Sequence, residues 1–497
     1  MTIAPERPAA SSSERDTFDS LDPASGEVVA SYAKQSPEQV RGAVARARTA
    51  SAWWAGLGFD GRAKRLRAWK ALLARRAPEL AQVVTRENGK PKADAIIEIV
   101  LAVDHLDWAI RNAPRVLGPH KVSSGMLAIN HAATVEYPPL GVIGVIGPWN
   151  YPVFTPMGSI AYALAAGNAV VFKPSEYTPG VGQWLADSFA EAVPDQPVFQ
   201  VVTGLGETGA ALCTAGVDKL AFTGSSTTGR KVMGACAETL TPVLMECGGK
   251  DALIVDDDAD VAAAADAALW GGMSNAGQTC IGTERVYVTE RNYDVFVREL
   301  STQAAGLKAG TSFGPITMPA QLDIIRRHIT DALDRGAHAV VGGRDSVHER
   351  FVDPVVLVDV PDDAAAITEE TFGPTLTVTK VRDMDEAVEK ANATGYGLAA
   401  SVFSGSRGME IARRLRCGMA SVNSVIAFAT IPALPFGGSG ESGYGRIHGA
   451  DGLKEFTSAK AIARKRFDLP VPLTSFRRPD AATRVLIGVL RTLHGRG

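Results

Sequence analysis

A chain of 497 residues is longer than one hydrophobic core can serve, so two or three domains are expected. With a net charge of −3, 46% hydrophobic and 21% charged residues, the composition is that of a globular protein and excludes a disordered chain or a basic nucleic-acid binder. Five cysteines without a Cys-x-x-Cys pair, and no paired histidine spacing, exclude a disulfide framework and a structural zinc site; no metal is expected, and the reducing cytoplasm is the expected compartment.

Residues 1–19 are polar, rich in Ser, Pro and Arg, and lack the apolar centre of a signal peptide, so they read as a mobile N-terminal arm. Ser36-Pro37-Glu38 marks a helix start: a capping hydroxyl, a proline where no N–H is needed, and an acid at the positive helix end. The pattern predicts helices over about 36–54, 60–76 or beyond, and 93–112, the last following the turn residues Asn88-Gly89-Lys90-Pro91. No apolar run approaches the roughly twenty residues that span a bilayer.

Strand patterns then take over. Residues 134–137 and 141–147 are followed by Pro148-Trp149-Asn150-Tyr151-Pro152, then a helix at about 159–166 and a strand at 168–173. A helix near 181–193, strands at 198–203 and 219–223, and a helix after Gly224 continue the alternation. Apolar runs bounded by turn residues fit strands buried on both faces, and strand–helix repetition predicts a doubly wound parallel sheet. Such sheets bind ligands where strands end, which is where Asn150, Lys173, Gly204 and Gly224 fall. The run Gly204-Leu205-Gly206-Glu207-Thr208-Gly209 nominally fits a dinucleotide fingerprint, a pattern that also merely shapes turns. Gly224-Ser225-Ser226-Thr227-Thr228-Gly229 is the better phosphate candidate, because it leaves a strand and opens a helix whose free amides can face an anion.

Glu246 closes the apolar strand 243–246 before Cys247-Gly248-Gly249. A carboxylate there must find a partner or shift its pKa. An Ala-rich helix at about 261–271 leads to Ser274-Asn275-Ala276-Gly277-Gln278-Thr279-Cys280, where glycine and short polar neighbours let backbone amides approach a ligand at the sulfur. A second strand–helix alternation covers 285–400, interrupted by Glu369-Glu370-Thr371-Phe372-Gly373-Pro374.

Together with Pro435-Phe436-Gly437-Gly438, these motifs resemble, in order and spacing, the NAD(P)-dependent aldehyde dehydrogenase superfamily over about residues 20–465. The resemblance implies the aldehyde dehydrogenase fold: an α/β architecture with a Rossmann-like doubly wound cofactor domain (20–118 and 141–248), a second α/β catalytic domain (249–450), and a small β oligomerisation arm (119–140 and 451–470) before a basic tail (471–497). It implies Cys280 as the nucleophile attacking the aldehyde carbon, Asn150 with the Cys280 N–H as oxyanion donors, and Glu246 as the base that hydrolyses the thioester. For the cofactor it implies Trp149, Lys173, Glu176, Gly224, Ser225, Glu370 and Phe372. Glu176 favours NAD over NADP, since a carboxylate accepts from free ribose hydroxyls and repels a 2′-phosphate. A homodimer or homotetramer is implied, assembled through strands near 121–138 and 456–467.

Departures from the family pattern bear on the substrate. Semialdehyde members that bind a distal carboxylate resemble each other in having arginines where this chain has Gly158 and Ser274. A wide, uncharged tunnel is therefore expected, walled by Tyr151, Phe154 and Phe436, and a neutral medium-to-large aliphatic or aromatic aldehyde as substrate. The segment Gly445-Arg446-Ile447-His448-Gly449 looks instead somewhat like a succinic-semialdehyde branch. The rival classes are a CoA-acylating aldehyde dehydrogenase and a catalytically silent structural or binding member. Cys247 reads as buried packing. The apolar stretch 485–493 reads as a short helix packed on the subunit or its neighbour, a reading favoured over membrane-surface contact.

Overall fold

The computed structural model describes residues 16–470 and 475–495. Residues 1–15 of the expected N-terminal arm lie outside the described residues, and its last residues, from Thr17, are strand rather than arm. The strand Thr17–Leu21 pairs antiparallel with Val28–Ala33, and Asp22 Oδ1 closes the turn between them by accepting from Ala24 N at 2.8 Å. Ser20 Oγ then donates to the buried Glu87 at 2.9 Å, which ties the strand down.

Two compact units are present: residues 16–116 with 139–457, and 117–138 with 458 onward. In the first, Ser36 caps Pro37–Gly56 in a full capping box with Gln39. The expected second helix is two, Gly58–Arg75 and Ala77–Asn88. Arg76 leaves helical geometry between them (φ −100°, ψ 14°), and Pro78 has no N–H with which to continue the ladder.

The same unit holds two larger sheets besides the Thr17–Leu21 pair. The six-stranded one orders Gly443–Tyr444, Val243–Glu246, Lys219–Thr223, Val142–Ile146, Ala169–Lys173 and Phe199–Val201, all parallel except the short first strand. Strand order reverses beside Val142–Ile146, which makes its carboxyl end and that of Lys219–Thr223 the switch point where doubly wound sheets bind ligands. The seven-stranded sheet orders His338–Val341, Val355–Val358, Thr375–Val381, Thr283–Thr289, Asp251–Val255, Ala399–Phe403 and Met419–Val422, parallel except for the first. Every residue of Asp251–Val255 and Thr283–Thr289 is buried, as central strands with helices on both faces are, and the charged Asp251, Glu284 and Arg285 are buried with the rest.

The second unit contains a three-stranded antiparallel sheet of Lys460–Lys465, His131–Glu136 and His120–Val122. Residues 451–457, expected in this arm, belong to the first unit, where Leu453 and Phe456 are fully buried. Its C-terminal helix is Asp480–His494, in which Ala482 is buried and Leu486 and Val489 are half-buried. Among the described residues no helix is long and apolar enough to cross a membrane.

Candidate active site

The Ala-rich helix Val261–Met273 ends in the short turn Ser274–Gly277, and Asn275, Ala276 and Gly277 all take left-handed φ (52°, 56° and 70°). Such backbone persists only where its surroundings over-determine it. Here they do. Asn275 Nδ2 donates to Asn150 O at 3.1 Å and Gln278 O at 3.2 Å, while Gln278 Nε2 donates to Pro315 O at 3.2 Å. A Cβ on Gly277 would sit 2.1 Å from Gly373 O, so glycine lets the turn press on the 369–374 loop.

Asn150 leaves the strand Val142–Ile146 and its Nδ2 donates to Gln278 O at 3.0 Å. The Tyr151 hydroxyl shares a hydrogen bond with Thr279 Oγ1 at 3.0 Å. The Asn150 and Cys280 loops are thus laced together at adjacent positions, and both residues line one cleft. A buried ion pair supports them. Glu98 Oε1 accepts from Val153 N and Phe154 N (2.7 and 3.0 Å), and its Oε2 accepts from Lys90 Nζ at 2.6 Å. That ammonium also lies 3.9 Å from the Tyr151 ring centroid. The sequence shows only a turn at residues 88–91.

Glu246 ends its strand fully inside the protein, and among the described residues neither carboxyl oxygen has a hydrogen-bond partner. Burial raises its pKa well above the carboxylate range, opposed by Arg446 and assisted by Glu455. Cys280 is pushed up too, first by burial and then by Glu370, Asp251 and Glu246, so its resting state at neutral pH is a thiol. Glu370 rises to about 8, chiefly through burial, with its Oε1 accepting from Gly249 N at 2.9 Å. Gly248 makes that contact attainable, since a Cβ there would meet Glu370 Oε2 at 2.1 Å. The Glu370–Phe372 segment is fastened by Glu284, which accepts from Thr371 N and Phe372 N at 2.9 Å each and pairs with the buried Lys250. Phe372 itself is left-handed (φ 51°).

The cleft measures about 850 Å³, within the range of cofactor sites. Trp149, Lys173, Glu176, Gly224 and Ser225 line one part of it, Glu370 and Phe372 another. Lys173 Nζ donates to Pro174 O at 3.1 Å and lies 3.6 Å from Glu176. Ser225 caps the helix Ser226–Ala237, its hydroxyl accepting from Thr228 N at 3.3 Å. Trp149 meets Phe372 edge-on at 5.6 Å. Gly206 and Gly209 border the same cleft.

The sequence model of the "Aldehyde dehydrogenase family" matches residues 10–462. The chain belongs to that family. It is 36% identical to 4,4'-diapolycopene aldehyde oxidase of Methylomonas sp over 91% of this chain and 87% of that protein. It is 37% identical to a putative succinate-semialdehyde dehydrogenase (NADP+) 2 of Mycobacterium ulcerans strain Agy99 over 92% and 90%. Among solved structures, an NAD-dependent aldehyde dehydrogenase from Sinorhizobium meliloti superposes with a TM-score of 0.88 at 34% identity, covering 94% of this chain and 95% of that one.

On its other side this aldehyde dehydrogenase departs from expectation. Phe154 and Phe436 are buried against His448, with ring centroids 5.4 and 5.6 Å away, and His105 lies 3.9 Å from the same imidazole. The room expected at Gly158 is taken: a Cβ there would be 2.6 Å from Ile447 Cδ1 and 2.9 Å from His448 Nε2. Gly158 therefore does not widen a tunnel. Its missing side chain is the space that Ile447 and His448 fill. Ser274 is half-buried. Burial keeps His448 neutral, lowering its pKa well below the usual value, and among the described residues neither ring nitrogen has a hydrogen-bond partner. The signal for this packing is a glycine and a bulky pair far apart in sequence, which one chain alone does not link.

Proposed function

We propose that this family member oxidises a neutral aliphatic or aromatic aldehyde of medium to large size to the carboxylic acid, with NAD as hydride acceptor. The observation that carries the reading is the laced pair of loops that sets Cys280 beside Asn150, with the unpartnered carboxyl of Glu246 in the same unit. Cys280 gives its proton to water and as the thiolate attacks the carbonyl carbon, and the oxyanion is received by the Asn150 side-chain amide and the Cys280 N–H. Bound NAD supplies the acceptor for the hydride that the tetrahedral adduct expels, leaving a thioester on Cys280. Ionised Glu246 takes a proton from water as the water attacks the thioester and returns it to the departing Cys280 sulfur, releasing the acid and restoring the thiol.

The cleft fits a dinucleotide. Free amides at the start of Ser226–Ala237 suit a pyrophosphate, Lys173 and Glu176 suit ribose hydroxyls, and Glu370 with Phe372 suits the nicotinamide riboside. Relatives are named for both NAD and NADP; the carboxylate of Glu176 favours NAD here. Ser274 and Gly158 bring no cation for a distal carboxylate, which sets the succinate-semialdehyde reading second despite the Mycobacterium relative's name. The exposed edge strand Lys460–Lys465 supports self-assembly into a dimer or tetramer.

A panel of aldehydes run with NAD and NADP in parallel tests this reading. Neutral substrates with NAD should give the highest kcat/KM. A far better rate with succinic semialdehyde would overturn the substrate class, and acyl-CoA formed only when CoA is present would overturn hydrolysis by Glu246.

A further inference from the structure

The C-terminal helix Asp480–His494 is amphipathic and uncovered. Val485, Leu486, Val489, Leu490 and Leu493 recur at the spacing of one helical face, and Arg484 and Arg491, seven residues apart, lie on the opposite one. Much of the apolar face is exposed in this chain: Val485 is 65% exposed, Leu490 60% and Leu493 49%, while Leu486 and Val489 are half-buried. Phe467 and Phe476, on the approach to the helix, are also exposed. Charge follows the same division. From residue 460 to the end there are nine Lys and Arg against two Asp, in a chain whose overall charge is −3, so the tail is strongly positive on an otherwise negative protein.

We propose that Asp480–His494 is an interfacial helix that docks this enzyme on anionic lipid surfaces, its apolar face in the acyl boundary and the flanking arginines at the headgroups. A cationic polar face with aliphatic and Phe side chains elsewhere is the pattern of helices that lie in a membrane interface. The helix's 15 residues span about 22 Å, and a stripe about 10 Å wide offers roughly 220 Å². A stable contact between protein copies buries about 800 Å² a side, so this face is too small to hold a second copy by itself. An interfacial helix needs only its own face plus counter-charge, and the tail's cations supply the latter. The docking uses no catalytic residue and stands apart from the choice of aldehyde.

The full-length protein mixed with phosphatidylcholine–phosphatidylglycerol vesicles tests this, with pure phosphatidylcholine vesicles in parallel. Co-flotation with the mixed vesicles is expected, weakened when salt shortens the range of the charges. Leu490→Asp should lower the vesicle partition coefficient at least tenfold, and Arg484→Gln with Arg491→Gln roughly fivefold per cation. Turnover of a water-soluble aldehyde should be unchanged in all of them. No flotation of the full-length protein, or flotation that neither the Leu490 nor the arginine variants reduce, overturns the proposal. So does a fall in oligomer mass by light scattering for Leu490→Asp without any change in vesicle binding, which would assign the face to a second copy.

Discussion

The cofactor cleft and the aromatic pocket around His448 lie in the same compact unit, and the chain builds them by opposite means. The cleft is made of backbone: strand ends, a helix cap at Ser225, and a glycine at 248 that lets Glu370 approach. The pocket is made of side chains, with Phe154, Phe436, His105 and His448 closed over the place where Gly158 has none. A site made of backbone shows its volume in local sequence. A site made of side chains hides it, because what one residue leaves empty another from a remote segment fills.

The largest expected effect falls on the cleft, at Cys280. Cys280→Ala should lower NADH formation by at least about 10⁴-fold while NAD binding, followed by quenching of protein fluorescence, is kept. Residual turnover near the parent's would mean another nucleophile. Asn150→Ala removes one oxyanion donor and should cost roughly 100- to 1000-fold in kcat, with a smaller change in KM.

On the pocket side, Ile447→Ala vacates the space facing Gly158. It should raise kcat/KM for a bulky aldehyde relative to acetaldehyde by roughly 10-fold or more, as a pocket gaining a few methylenes' room allows. Gly158→Val should act in the reverse sense and cost about 1–3 kcal/mol of stability in denaturant titrations, because Ile447 Cδ1 and His448 Nε2 stand where the new carbon would go. If neither change alters the order of substrates, the pocket is packing alone and the tunnel lies elsewhere.

The smallest effect concerns pH on the cleft side. Glu370, raised to about 8, is neutral below that pH and ionised above it. In the role proposed for it at the ribose, Glu370 accepts best through both oxygens as the carboxylate, so KM for NAD should fall by roughly tenfold at most between pH 7 and 9, and Glu370→Gln should flatten the profile. The stability sign is opposite. A carboxyl whose folded pKa is raised holds a proton that the unfolded chain has released, so stability from this group declines as pH rises from about 4.5 to about 8.

Much of the fold is legible because its signals are local. The apolar runs at Val142–Ile146 and Ala169–Lys173 are bounded by turn residues, and Ser36 announces its own helix. The six-stranded sheet places Asn150, Gly224 and Glu246 at strand ends, in agreement with the sequence pattern. What stays hidden is pairwise. Lys90 and Lys250 look like surface charges until Glu98 and Glu284 are seen to bury them, and those two pairs fasten the Asn150 and Glu370 loops. The break at Arg76 is masked because both flanking helices keep one apolar period. The left-handed turn at Asn275 and Ala276 has no sequence mark, since only its tertiary brace makes it tolerable.

The central claim is that Cys280 carries the acyl group and Glu246 frees it, and rapid mixing of Glu246→Gln with NAD and a neutral aldehyde tests both at once. One equivalent of NADH should appear in a burst and then stall, with intact-protein mass showing an acyl adduct that maps to the Cys280 peptide. Undiminished steady-state turnover, or a stalled enzyme whose adduct maps to another residue, would contradict the account.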